Sequence, residues 1–150
     1  MKLIELYSIV NKFYNSILEA KFEGLFERKD RMSNFPRGCC DDACDLLWYY
    51  LKSNYNFHIE RYNGFYDDGV PENKFNHEWL VVEGYVVDIT YKQLSWITRT
   101  MDDIYIGDDG VYNDIFEDIR PQKYYEIRND ERLWKDYNNI LGVLKRKWLN

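Results

Sequence analysis

Apolar residues recur at helical spacing from the start of the chain. Leu3, Leu6, Val10, Phe13 and Ile17 fall on one face, with Ile9 and Ala20 widening it, which predicts a first helix over residues 3–22. A charged continuation from Glu19 to Asp30 is expected to fray near Gly24, and a loop from Arg31 through Pro36 ends at Gly38. A second helix is expected over about residues 40–53, with Leu46, Leu47, Tyr50 and Leu51 as its stripe. Asp41 and Asp42 stand in its first turn, where negative side chains suit the positive end of the helix dipole. This helix is apolar enough to be central to a core.

The period then shortens to two. Residues 57–66 read as a strand with imperfect alternation, and residues 67–76 as a polar loop holding Gly69 and Pro71. The strongest strand signals are residues 77–82 and 85–91, separated by Glu83-Gly84, a natural two-residue hairpin turn. Residues 92–128 carry the weakest pattern. Ile104-Tyr105-Ile106 reads as a short strand before the turn Gly107-Asp108-Asp109-Gly110, and residues 124–127 as another. Asp130 is placed to cap a last helix over about residues 131–147, whose buried face is Leu133, Trp134, Tyr137, Ile140, Leu141 and Leu144. Two helices, then strands, then a helix predict an α+β domain built on an antiparallel sheet.

At 150 residues the chain is most simply one domain, residues 1–150. Its 14 Tyr, 8 Phe and 5 Trp require many rings to lie half-exposed, where they can line a substrate groove; a coding bias toward Tyr, Asn and Lys gives the same count. A net charge of −6 argues against a nucleic-acid partner, which needs a basic stripe, and hints instead at a basic peptide or protein. The short cluster Lys145-Arg146-Lys147 fits the negative end of a helix better than it fits phosphate. No apolar run approaches a membrane span, and the opening residues lack a signal peptide's uninterrupted apolar stretch, so no membrane partner and a cytoplasmic location are expected. The three cysteines are then expected to be reduced, and adjacent Cys39 and Cys40 are poorly placed to bridge each other.

The chemistry concentrates in three residues. Cys40 stands where the second helix begins, and a helix N-terminus favours the thiolate because unsatisfied N–H groups face it. Gly38 leaves room for a tight turn, and the backbone N–H of Cys40 becomes an oxyanion donor. If Glu83-Gly84 is the turn, Val82 faces Tyr85 and Trp79 faces Asp88, so His77 and Asp88 share one face as diagonal neighbours. A carboxylate then holds one imidazole nitrogen while the other faces the thiol, the order of nucleophile, base and orienter. A turn one residue longer would put His77 and Asp88 on opposite faces. Among the rivals, Cys39 points away from the helix and Cys44, one turn on, is buried. His58 has no partner pattern, and Glu78 and Asp41 are expected to be solvated. Trp79 shares the His77 face, as a roof for a groove or as core. Cys40, Cys44 and His77 could supply three metal ligands, but structural zinc uses a second close pair, and none exists; no metal and no cofactor are expected. Gly107-Asp108-Asp109-Gly110 carries acid where a phosphate loop would be repelled.

These residues resemble the transglutaminase-like branch of the papain-like superfamily over about residues 34–94. Gly38-x-Cys40, then Cys44 and the pair Leu46-Leu47, match its nucleophile helix; the strand opening at His77 and the Asp88-Ile89-Thr90 run match its base and orienter. The usual Asp-Pro-Thr is Asp-Ile-Thr here, and Cys44 stands where Ala or Ser is commoner. The resemblance implies a nucleophile helix packed on an antiparallel sheet between N- and C-terminal helices, and a Cys-His-Asp triad of Cys40, His77 and Asp88. It also implies a polar side chain about six residues before the nucleophile, a place Asn34 occupies, as a second oxyanion donor beside the Cys40 N–H. The implied activity is that of a cysteine peptidase or amidase acting on a peptide or protein amide. Alternatives are a transglutaminase- or deamidase-type toxin or effector, and a non-catalytic binding or immunity module; bacterial leader peptidases and toxin-type effectors share the superfamily.

Overall fold

The computed structural model describes residues 2–148, and the fold is α+β. Helix α1 (Leu3–Phe22) is followed by α2 (Cys40–Asn54), and then by the strands β1 (Ile59–Tyr66), β2 (Phe75–Val82) and β3 (Tyr85–Asp88). The middle region supplies α3 (Ser95–Thr98), β4 (Tyr105–Gly107), α4 (Gly110–Ile115) and β5 (Glu117–Gln122), and α5 (Glu131–Trp148) closes the described chain. The strands form one antiparallel sheet in the order β4-β3-β2-β1-β5.

Alternation along the central strands divides the molecule into two layers. Ile59, Leu80, Val82 and Val87 face α1, α2 and α5 and join the main core with Leu6, Phe13, Leu46, Leu51, Ile140 and Leu144. Trp79 and Val86 face the other way, into a smaller aromatic cluster completed by Tyr91, Leu94, Tyr112 and Phe116. The stretch after β3, weakly patterned in sequence, is therefore what covers the second face of the sheet.

The β2–β3 hairpin has the expected turn. Val82 pairs with Tyr85, Val81 with Val86 and Leu80 with Val87. Glu83 and Gly84 both have positive φ, 51° and 84°, the backbone that matches the twist of a two-residue hairpin. Several boundaries differ from expectation: β1 begins at Ile59 rather than 57, and β4 is shifted by one residue to Tyr105–Gly107. Strand β2 begins at Phe75, so His77 lies inside it rather than opening it. Strand β3 stops at Asp88 rather than 91, because the Asp88 carboxylate takes the Thr90 N–H at 2.9 Å and turns the chain into a short 3-10 helix over Tyr91–Leu94. The strand expected at 124–127 is displaced to Glu117–Gln122, a polar edge strand containing Pro121; it is held by pairing to β1 rather than by an apolar face, which hydrophobic period cannot detect.

The long helices form as expected, but Leu3 of α1 is exposed, and in α5 Trp134 and Leu141 are only partly buried while Asp136 and Val143 join the buried face. Asp130 caps α5 by accepting the Leu133 N–H at 3.0 Å. The basic cluster sits in the last turn of α5, where Arg146 pairs with Glu23 and Lys147 with Glu19 at 3.3 Å, tying α5 to the end of α1. No helix among the described residues is long and apolar enough to cross a membrane.

Candidate active site

Cys40 is the first residue of α2. Gly38, with φ of 67°, makes the turn that delivers it, a backbone position where a side chain would be strained. The Cys39 carbonyl accepts the Ala43 N–H at 2.9 Å, closing the first helical turn and leaving the Cys40 N–H among the helix donors that have no intrahelical partner. Cys40 is partly exposed, whereas Cys39 and Cys44 are buried, and all three thiols are free. Burial, with Asp42 and Cys40 nearby, pushes the Cys39 thiol up to about 12. Burial also raises Cys44 well above the ordinary thiol range, against a partial opposing pull from Arg61. Only Cys40 combines access with a basic partner.

That partner is His77, close enough to the Cys40 side chain for the thiol to help raise the imidazole pKa. His77 Nε2 lies 2.7 Å from Asp88 Oδ2, so Nδ1 is the nitrogen left for the thiol. Both residues are buried. Burial works against the imidazolium, but the Asp88 charge and hydrogen bond, with the nearby Cys40 thiol, overcome it and raise the His77 pKa to about 10. For Asp88 the opposing burial effect is likewise overcome, by the His77 charge and by its hydrogen bonds, and its carboxyl is held below the usual range.

Asp88 is held from four directions. Its Oδ1 accepts the Thr90 N–H at 2.9 Å and the Thr90 hydroxyl at 3.1 Å. Its Oδ2 accepts His77 and the Tyr112 hydroxyl, the latter at 2.6 Å. Thr90 had a sequence signal, since a Thr two residues after an Asp is a recurrent turn partner. Tyr112 had none: it belongs to α4, in the stretch whose pattern was weakest. The imidazole packs in a cluster with two aromatic rings, Phe116 at 5.7 Å and 11° and Trp79 at 6.2 Å and 26°, which also pack on each other at 5.2 Å. Gly64 stands opposite His77 in β1, and a Cβ there would lie 2.7 Å from Phe116 Cβ. Its missing side chain is what admits the ring that flanks the histidine.

Trp79 is buried in the aromatic cluster and supports His77 from within the sheet layer. Asn34 ends a short 3-10 helix over Arg31–Asn34, is exposed, and accepts the Arg37 N–H on its carbonyl at 2.9 Å. His58 lies just before β1, exposed and 3.5 Å from Glu60, outside the site. Glu78 and Asp41 are not simply solvated. Glu78 takes the buried Arg61 at 3.1 Å, Arg61 also pairs with Asp45, and Asp41 takes Arg31 at 3.2 Å. Arg132 of α5 reaches Asp30 and Asp42, each at 2.9 Å, so the start of α2 is anchored by charge to the preceding loop and to α5. The spacing of charges in the sequence could not show these pairs, because each joins separate elements. Among the described residues no group of three or more His, Cys, Asp or Glu is arranged to hold a metal ion.

Compared with protein-family models, curated proteins and solved structures, the chain matches none.

Proposed function

We propose that the protein is a thiol-dependent acyl-transfer enzyme on a papain-like core, most simply a cysteine peptidase or amidase acting on a peptide or protein amide. The observation that carries this reading is one chain of interacting side chains. It runs from a partly exposed thiol at a helix N-terminus, through a buried imidazole, to a buried carboxylate fixed by Thr90 and Tyr112. In the proposed reaction the Cys40 proton resides on His77, as the raised imidazole pKa favours. The thiolate sulfur attacks the amide carbonyl carbon, and the Cys40 N–H faces the oxygen on which charge develops. The C–N bond breaks as His77 passes its proton to the leaving nitrogen, leaving a thioester on Cys40. Water then attacks the thioester carbon while His77 takes its proton, and the acid product and free thiol are released. An amine in place of water would give transfer by the same first half.

The test is alkylation by iodoacetamide at pH 6 with mass mapping of each cysteine. A thiol with a pKa near 12 is thiolate in roughly one molecule in 100,000 at pH 7, and rarer still at pH 6, so Cys39 is expected to remain unmodified. Cys40 is expected to react selectively, and His77→Ala to slow it strongly while far-UV circular dichroism is unchanged. Equal, slow modification of all three cysteines would overturn the reading.

A further inference from the structure

The loops that carry the triad also wall a cleft of about 740 Å³. One side is Pro36 and Arg37, just before Gly38 and Cys40; the other is Lys92, Gln93 and Trp96, which follow the Asp88–Thr90 turn. The cleft adjoins the base as well. Trp96 packs on Phe75 and Tyr66, with ring centroids at 6.2 Å and 5.4 Å, and Phe75 is two residues before His77 on the same face of β2.

Three features of its lining point to an occupant. In a chain with 26 acidic residues, none of the side chains lining this cleft is a carboxylate. Of its two cations, Lys92 lies 3.5 Å from Asp103 in an exposed pair, whereas Arg37 has no ion-pair partner among the described residues. The Gln93 side-chain nitrogen, Nε2, is buried and makes no hydrogen bond, which costs free energy unless something arrives to accept it. Trp96 and Met101 are 47% and 76% exposed and form an apolar margin. A second cleft, beside the first turn of α2, contrasts with it: its Asp41, Asp42, Asp45 and Glu78 are paired with Arg31 and Arg61.

We propose that this cleft is a substrate subsite for an acidic peptide side chain. Arg37 and the Gln93 amide bind the carboxylate of a glutamate or aspartate near the reacting bond, and Trp96 and Met101 cover its apolar neighbours. The inference rests on the thiol-enzyme reading and names a substrate class for it. It also separates local from global charge, because a net −6 averages over a surface on which this cleft has the opposite sign.

The experiment measures protection of Cys40 in the full chain against iodoacetamide. The competitors are three acetylated pentapeptide amides, identical except for two central residues, both Glu, both Gln or both Lys. The Glu peptide is expected to slow alkylation at concentrations where the Gln and Lys peptides do not. Arg37→Glu, at an exposed position, is expected to reverse the preference toward the Lys peptide, and Gln93→Leu to weaken protection by the Glu peptide about tenfold. Equal protection by all three peptides, no protection by any of them, or a preference unchanged by Arg37→Glu would overturn the subsite while leaving the thiol reading standing. Failure of Cys40 to react even without peptide would overturn both.

Discussion

Replacing Tyr112 by Phe removes one oxygen from the centre of the proposed site and almost nothing else. The ring is fully buried and its hydroxyl donates to Asp88 Oδ2 at 2.6 Å, the same oxygen that holds His77 at 2.7 Å. A hydrogen bond to a charged group contributes about 1.5–3 kcal/mol. Asp88 keeps its two bonds from Thr90 and one from His77, so the lower end applies, about 1.5 kcal/mol. In a chain of this length that is a loss of roughly 3–6 °C in Tm. The pH dependence separates the hydrogen bond from packing. Asp88 has a depressed pKa in the fold, so its contribution is present above the unfolded carboxylate pKa of about 4 and is lost as pH falls through the folded value. Thermal unfolding of parent and variant is therefore expected to differ fully at pH 7 and progressively less below about pH 4. The same variant is expected to react more slowly at Cys40, because a less firmly held carboxylate orients His77 less well. A Tm unchanged at pH 7, or a gap equally large in acid, would refute the argument, the second outcome showing that ring packing alone was at work.

Two further outcomes follow from geometry. Gly64→Ala places a methyl 2.7 Å from Phe116 Cβ and 2.8 Å from the Trp79 ring, so overpacking is expected to cost about 1–3 kcal/mol in urea unfolding and to alter near-UV circular dichroism, since both rings flank His77. Asp136 is buried in α5, and burial together with the neighbouring Asp30 carboxylate raises its carboxyl to about 8. A raised folded pKa means that its contribution to stability is fully present below about pH 4 and is lost as pH rises through about 8. Asp136→Asn is therefore expected to unfold at a higher temperature than the parent at pH 8 and to lose that advantage toward pH 4, as followed by calorimetry.

Most of the helical frame and the central hairpin were legible in the residues. Helices α1, α2 and α5 are long and periodic, and burial of one stripe is enough to define each. The turn at Glu83-Gly84 was equally legible, because few residue pairs accept two consecutive positive φ angles, and it put His77 and Asp88 on one face. The place of Cys40 at a helix start was legible, and among the three cysteines it is the one that is not buried. Illegible were β5, which has no apolar face, and the role of Tyr112, which depends on α4 folding back over β3.

What the sequence by itself determined, then, is what local rules decide: which segments are helical, where the hairpin turns, and which face each strand residue occupies. Tertiary structure alone decided which charges meet, from Arg132 bridging α5 to Asp30 and Asp42 to Arg61 between Asp45 and Glu78, and which ring closes the site from behind. It also decided that Arg37 and Gln93 face one cleft. The physical reason is range. Backbone propensity and burial period act over a few residues, whereas an ion pair or a buried hydrogen bond between distant segments exists only after packing has brought its partners together and removed the competing water.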